Sequence, residues 1–210
     1  MQKDRLLAFT DGVIAVIITI MVLEMKVPQD PSLKALEAVT PVFLSYVLSF
    51  IYVGIYWNNH HHFFHLVRHV DGALLWANLH LLFWLSLIPF ATGWMGQNHF
   101  FAVPTAVYGV SLLMPALAWY VMQLAIFRSH GRDSALAHAL GRDLKGKATS
   151  LLYVAGIVFA FVSTWISDAL YVLVALLWLI PDRRIEHAVR NASGDHTLTH
   201  NQPEQGRGNA

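Results

Sequence analysis

Six long apolar stretches divide this chain, each set off from the next by a short polar or proline-bearing segment. A membrane-spanning helix needs about 20 mostly apolar residues, so each stretch is read as one such helix. The first covers about residues 6–25 and is stopped by Pro28 and Pro31. The second begins after Pro41, a favourable first-turn position, and runs past Trp57 toward Phe64. The third covers about 73–94 with a kink expected at Pro89, and the fourth about 101–127, interrupted by Pro115. The fifth is placed at about 148–166 and the sixth at about 168–180, ending at Pro181, with their boundary near Ser167 and Asp168. Residues 128–147 are polar enough for a cytoplasmic connector, and the polar, Gly- and Asn-bearing C-terminus for a disordered tail. The expected fold is an all-α membrane protein with six transmembrane helices, formed by residues 1–185 and followed by a disordered cytoplasmic tail over 186–210.

The first stretch departs from plain hydrophobicity, because Arg5 and Asp11 lie within it. An ionisable side chain at the centre of a bilayer costs about 2.5–3.5 kcal/mol on insertion scales, so it calls for a use or a partner. The two residues are six apart, about 240° around an ideal helix, which disfavours a direct pair within the helix and points to partners on other helices. Arg5 has the alternative of snorkelling to lipid head groups. Beyond Asp11 the run is apolar except for Thr19, and Val16, Thr19, Ile20 and Leu23 share one helical face at i, i+3, i+4 and i+7. Branched apolar side chains broken by one hydroxyl suit a narrow ion pathway with a hydrophobic constriction. The same spacing also suits helix packing.

The segment Arg-x-x-x-Phe-Thr-Asp-Gly-Val, followed by Ile-Thr-Ile-Met-Val-Leu-Glu, resembles the signature of the transmembrane protein 175 family of potassium channels, Arg-x-x-x-Phe-Ser-Asp. Arg5, Phe9 and Asp11 match, and Thr10 keeps the hydroxyl of the usual Ser while adding a methyl. The resemblance implies one six-helix repeat, as in the prokaryotic members, which assemble as homotetramers with the first helix around a central pore. It maps the constriction onto Val16, Ile20 and Leu23, with Val16 smaller than the residue common there, and a potassium-favouring layer onto Thr19. It also implies a structural network joining Arg5, Phe9, Thr10 and Asp11 to the second and third helices. His60 and Asn78 are the expected members, from a set that also includes Asn58, Asn59, Trp76 and His80. The partners implied are further copies of the chain, the lipid bilayer and permeant potassium ions, with no cofactor.

Composition agrees with a membrane protein: 56% of residues are hydrophobic, 13% are charged, and mean hydropathy is +0.48. The net charge of +1 gives no reason to invoke nucleic acid, and the absence of cysteine excludes disulfides and thiolate metal sites. The first apolar run is long, contains Asp11 and lacks a small-residue cleavage site, unlike a removable signal. With both termini cytoplasmic, 12 of the 14 basic residues fall in inner segments and only Lys26 and Lys34 outside. That asymmetry places the chain as a multi-pass protein of the cell membrane, inner or plasma, with both ends inside.

The run from Asn58 to His65, followed by His69, puts His61, His65 and His69 at i, i+4 and i+8, a spacing that can bind metal or haem. Only Asp71 is near to complete a ligand set, so no metal site is assigned, and the cluster reads instead as a solvated, pH-sensitive edge with His60 turned to the network. Trp57, Trp94, Trp119 and Trp178 suit the membrane interface. Neither a nucleotide loop nor a nucleophile with a paired base is found, so the chain is not read as an enzyme. The alternative to a cation channel is a proton- or cation-coupled transporter, which needs titratable groups near the midplane. A haem or metal oxidoreductase needs His pairs on facing helices, of which the chain has few.

Overall fold

The structure, a computed structural model, describes residues 3–65, 67, 69–130 and 144–179, and the expected tail over 186–210 lies outside them. The chain forms helices α1 (Lys3–Leu23), α2 (Leu33–Glu37), α3 (Thr40–His65), α4 (Gly72–Ser86), α5 (Ile88–Gln97), α6 (Ala102–His130), α7 (Leu144–Phe159) and α8 (Thr164–Leu179). Among the described residues four spans are long and apolar enough to cross a membrane: α1, α3, α4 continued by α5, and α6. The fifth and sixth expected helices are α7 and α8, of 16 residues each.

The ends of these elements follow from local chemistry. Asp71 caps α4, its carboxylate accepting from the Leu74 N–H at 2.8 Å. The third expected helix breaks at Leu87, two residues before Pro89, which enters α5 in its first turn where a missing N–H is harmless. His99 and Phe100 take positive φ values of 49° and 59°, and the Phe100 N–H closes the end of α5 on the Met95 carbonyl.

Two expectations need correction. Pro115 does not interrupt the fourth expected helix, because α6 runs through it without a break. One lost hydrogen bond in a 29-residue helix flanked by α4, α5 and α7 is small beside the packing that holds it. The boundary between the last two helices is not at Ser167–Asp168 but at residues 160–163. There the Ser163 carbonyl accepts from the Ile166 and Ser167 amides and starts α8. Ser167 sits inside α8 and donates its hydroxyl to the Gly156 carbonyl at 2.6 Å, tying the hairpin together rather than ending a helix.

Two packed regions hold the bundle. In one, Leu6, Ile14, Ile17 and Met21 of α1 meet Phe63 and Phe64 of α3, the Leu74–Leu85 face of α4 and Met122 of α6. In the other, Tyr52, Tyr108, Tyr153 and Tyr171 gather where α3, α6, α7 and α8 meet. Lipid tails are as apolar as leucine, so helices associate in a membrane through close packing and buried hydrogen bonds rather than by hydrophobic burial. Gly96 lets α5 approach α3 so closely that a Cβ there would lie 2.6 Å from the Val42 Cα. Beside it the Ser49 hydroxyl meets those of Thr92 at 2.7 Å and Tyr108 at 2.9 Å, joining α3, α5 and α6.

Candidate pore face on the first helix

α1 has two apolar faces, and the bundle uses only one. Leu6, Thr10, Ile14, Ile17 and Met21 are buried, a stripe with helical spacing that packs on α3, α4 and α5. On the other side Val16 is 56% exposed, Ile20 42% and Leu23 75%, and Thr19 and Phe9 are exposed with them. The Thr19 hydroxyl donates back to the Ala15 carbonyl at 2.9 Å, so its oxygen lone pairs remain for another group on the open side. Val16, Thr19, Ile20 and Leu23 therefore share one uncovered strip in the single chain.

The buried face of α1 is tied down by a polar chain through three helices. The Asn78 amide on α4 donates to the Thr10 hydroxyl at 2.9 Å, and its oxygen faces the His60 Nε2 of α3, also at 2.9 Å. With the amide oriented in this way its oxygen can only accept, so His60 Nε2 carries the hydrogen. All three side chains are nearly inaccessible, and the His60 ring stacks on Phe64 with centroids 4.3 Å apart. Leaving any one of these polar groups buried and unpaired costs about 1–3 kcal/mol, so the chain sets the position of α1 along its neighbours.

Asp11 follows a different route. It is exposed, and one carboxylate oxygen accepts from the Trp57 indole N–H of α3 at 3.0 Å. Trp57 stacks on His61, whose Nε2 lies 3.1 Å from the His65 Nε2. Trp57 is thus the partner of the motif carboxylate rather than only an interfacial aromatic. The one signal for it in the sequence is an indole N–H that seeks an acceptor where water is scarce.

The expected network therefore divides. Thr10, His60 and Asn78 come together, Asp11 is held separately by Trp57, and Arg5 and Phe9 face outward. Among the described residues Arg5 has no hydrogen-bond or ion-pair partner. Of the other candidates, Asn58 and Trp76 are exposed, and His80 accepts from Trp84 at 2.8 Å. Among the described residues no three His, Asp or Glu side chains converge as metal ligands. Lys3, at the start of α1, donates to the Val67 carbonyl at 3.1 Å and pins that end of the helix to the segment after α3.

Comparison with known proteins places this geometry among channels. Residues 5–89 match the family model described as endosomal/lysosomal potassium channel TMEM175. A potassium channel of Chryseobacterium sp. (strain P1-3) is 52% identical over 190 residues, which cover 90% of this chain and 99% of that one. A potassium channel of Streptomyces collinus is 32% identical over 190 residues, 84% of this chain and 91% of its own. The crystal structure of a lysosomal potassium-selective channel TMEM175 homolog from Chamaesiphon minutus superposes with a TM-score of 0.74 at 27% identity, covering 86% of this chain and 97% of that one.

Proposed function

The chain belongs to the TMEM175 family, and from that membership we propose that it conducts potassium ions through a pore lined by α1. The observation that carries this reading is the uncovered strip of Val16, Thr19, Ile20 and Leu23, opposite a face that is packed and hydrogen-bonded in place. One chain offers one such strip, so a closed conduit takes several copies about an axis, and we assign a homotetramer. In that assembly each strip residue becomes a ring of four. Val16, Ile20 and Leu23 form apolar rings that empty of water when narrow, and Thr19 places hydroxyl oxygens beside the permeating ion.

Between Asp11 and Glu24 the helix carries no titratable side chain, which favours passive conduction over proton- or ion-coupled transport. The basic residues orient both termini toward the cytoplasm of the cell membrane, with residues 1–185 as the channel unit. The Thr10–Asn78–His60 chain and the Trp57–Asp11 bond serve as anchors that hold α1 at the angle the pore requires.

Reconstitution into planar bilayers with potassium on one side and sodium on the other tests this. A reversal potential displaced toward potassium equilibrium is expected, together with a tetrameric mass in mild detergent. Absence of current from correctly folded protein, or a monomeric mass, overturns the reading.

A further inference from the structure

Away from α1, a cavity of about 410 Å³ opens between α3, α6, α7 and α8, within the range of about 300–1,000 Å³ that ligand pockets occupy. Buried Tyr52 and Tyr153 line it with their rings 6.1 Å apart, and Ile55, Leu117 and Trp119 add apolar wall. The same cavity is lined by Asn59 on α3 and by exposed Lys147 on α7, which give it a polar part. Tyr52 and Asn59 are seven residues apart on α3, about 10 Å along the helix at about 1.5 Å per residue.

The rim is built rather than accidental. The Trp178 indole N–H donates to the Thr149 hydroxyl at 2.8 Å, and the Lys145 ammonium lies 4.5 Å from the Trp178 ring centroid. Lys147 therefore lines the cavity and Lys145 lies against Trp178 of the same wall, both in the first turn of α7. Among the described residues the Asn59 amide has no hydrogen-bond partner, so its donors are free for a ligand.

We infer that this cavity holds one acyl chain of an anionic phospholipid, with the phosphate at Lys147 and Asn59. An apolar chamber at membrane depth gives water too few partners to be filled by it, whereas a hydrocarbon chain fits without penalty. Basic side chains at the mouth of a pocket between membrane helices select a negative head group. The site stands apart from the α1 strip and does not depend on that strip lining a pore.

Native mass spectrometry of the intact protein, supplied with phosphatidylglycerol or phosphatidylcholine of identical acyl chains, tests the assignment. One phosphatidylglycerol per chain is expected to be retained in preference to phosphatidylcholine. Lys147→Gln, at an exposed position, should weaken that retention about fivefold, the loss of one cation at a membrane surface. Ala116→Phe, which fills the chamber and leaves both lysines, should abolish it. Equal retention of the two lipids, unchanged retention in Lys147→Gln, or retention surviving Ala116→Phe overturns the inference.

Discussion

The Trp57 indole on α3 donates to Asp11 on α1 across 3.0 Å, so the carboxylate of the first helix is held from its open side while Thr10, the residue before it, is held from the buried side by Asn78. Adjacent residues on a helix point about 100° apart, and the protein uses that angle to grip α1 from two neighbours at one level. The grip lies about one and a half turns from Val16 and about two and a half from Ile20, and it fixes the rotation of the helix and with it the direction of the apolar strip.

Trp57→Phe keeps a ring on His61 and removes only the donor. A double-mutant cycle with Asp11→Asn, read by thermal unfolding in detergent, should return a coupling of about 0.5–1.5 kcal/mol, the net worth of one hydrogen bond. Additive effects would mean that the Trp57–Asp11 bond does not hold the helix.

Asn78 bridges two buried groups, and Thr10 completes only one contact of that bridge. Asn78→Leu should therefore cost about 1–3 kcal/mol and exceed the cost of Thr10→Val, because it strands both His60 and Thr10. Denaturation curves of the two variants in the same detergent decide the order, and a larger loss for Thr10→Val contradicts the chain of bonds.

Ile20 and Ile17 are the same residue type three positions apart, but Ile20 is 42% exposed and Ile17 only 3%. If Ile20 forms a ring that excludes water, Ile20→Asn should raise basal current through the reconstituted protein. Ile17→Asn should instead lower yield and melting temperature by burying an amide without a partner. An assembled Ile20→Asn protein with unchanged basal current removes the constriction from this residue.

Thr19→Val preserves shape and removes the hydroxyl. Among the described residues its one hydrogen bond runs within α1 to Ala15, so assembly should be unaffected while the potassium-to-sodium permeability ratio falls. The reversal potential under the same ion gradient is the measurement, and an unshifted value makes Thr19 a packing residue.

Much of this arrangement was legible in one dimension. Apolar lengths and prolines located the first four spans to within a few residues, since hydrocarbon thickness and the missing proline N–H act locally. The family resemblance pointed to His60 and Asn78 as members of a network with the first helix, and only the packing of α3 and α4 decided that Asn78 bonds Thr10 while His60 bonds Asn78. The turn at 160–163 was not legible, since its residues are as apolar as a helix interior and only Ser163 marks the start of α8.

What the sequence by itself determined is the membrane class, the family, and the level at which charge and hydroxyl sit on α1. Each of these depends on residue type and spacing along one helix. The tertiary structure decided which side of that helix is covered. The stripe of Leu6, Ile14, Ile17 and Met21 and the strip of Val16, Ile20 and Leu23 are equally apolar, and no periodicity distinguishes them. α3, α4 and α5 close over the first because Thr10, on that stripe, has Asn78 to bond with, and the second is left open for whatever lies beyond the single chain.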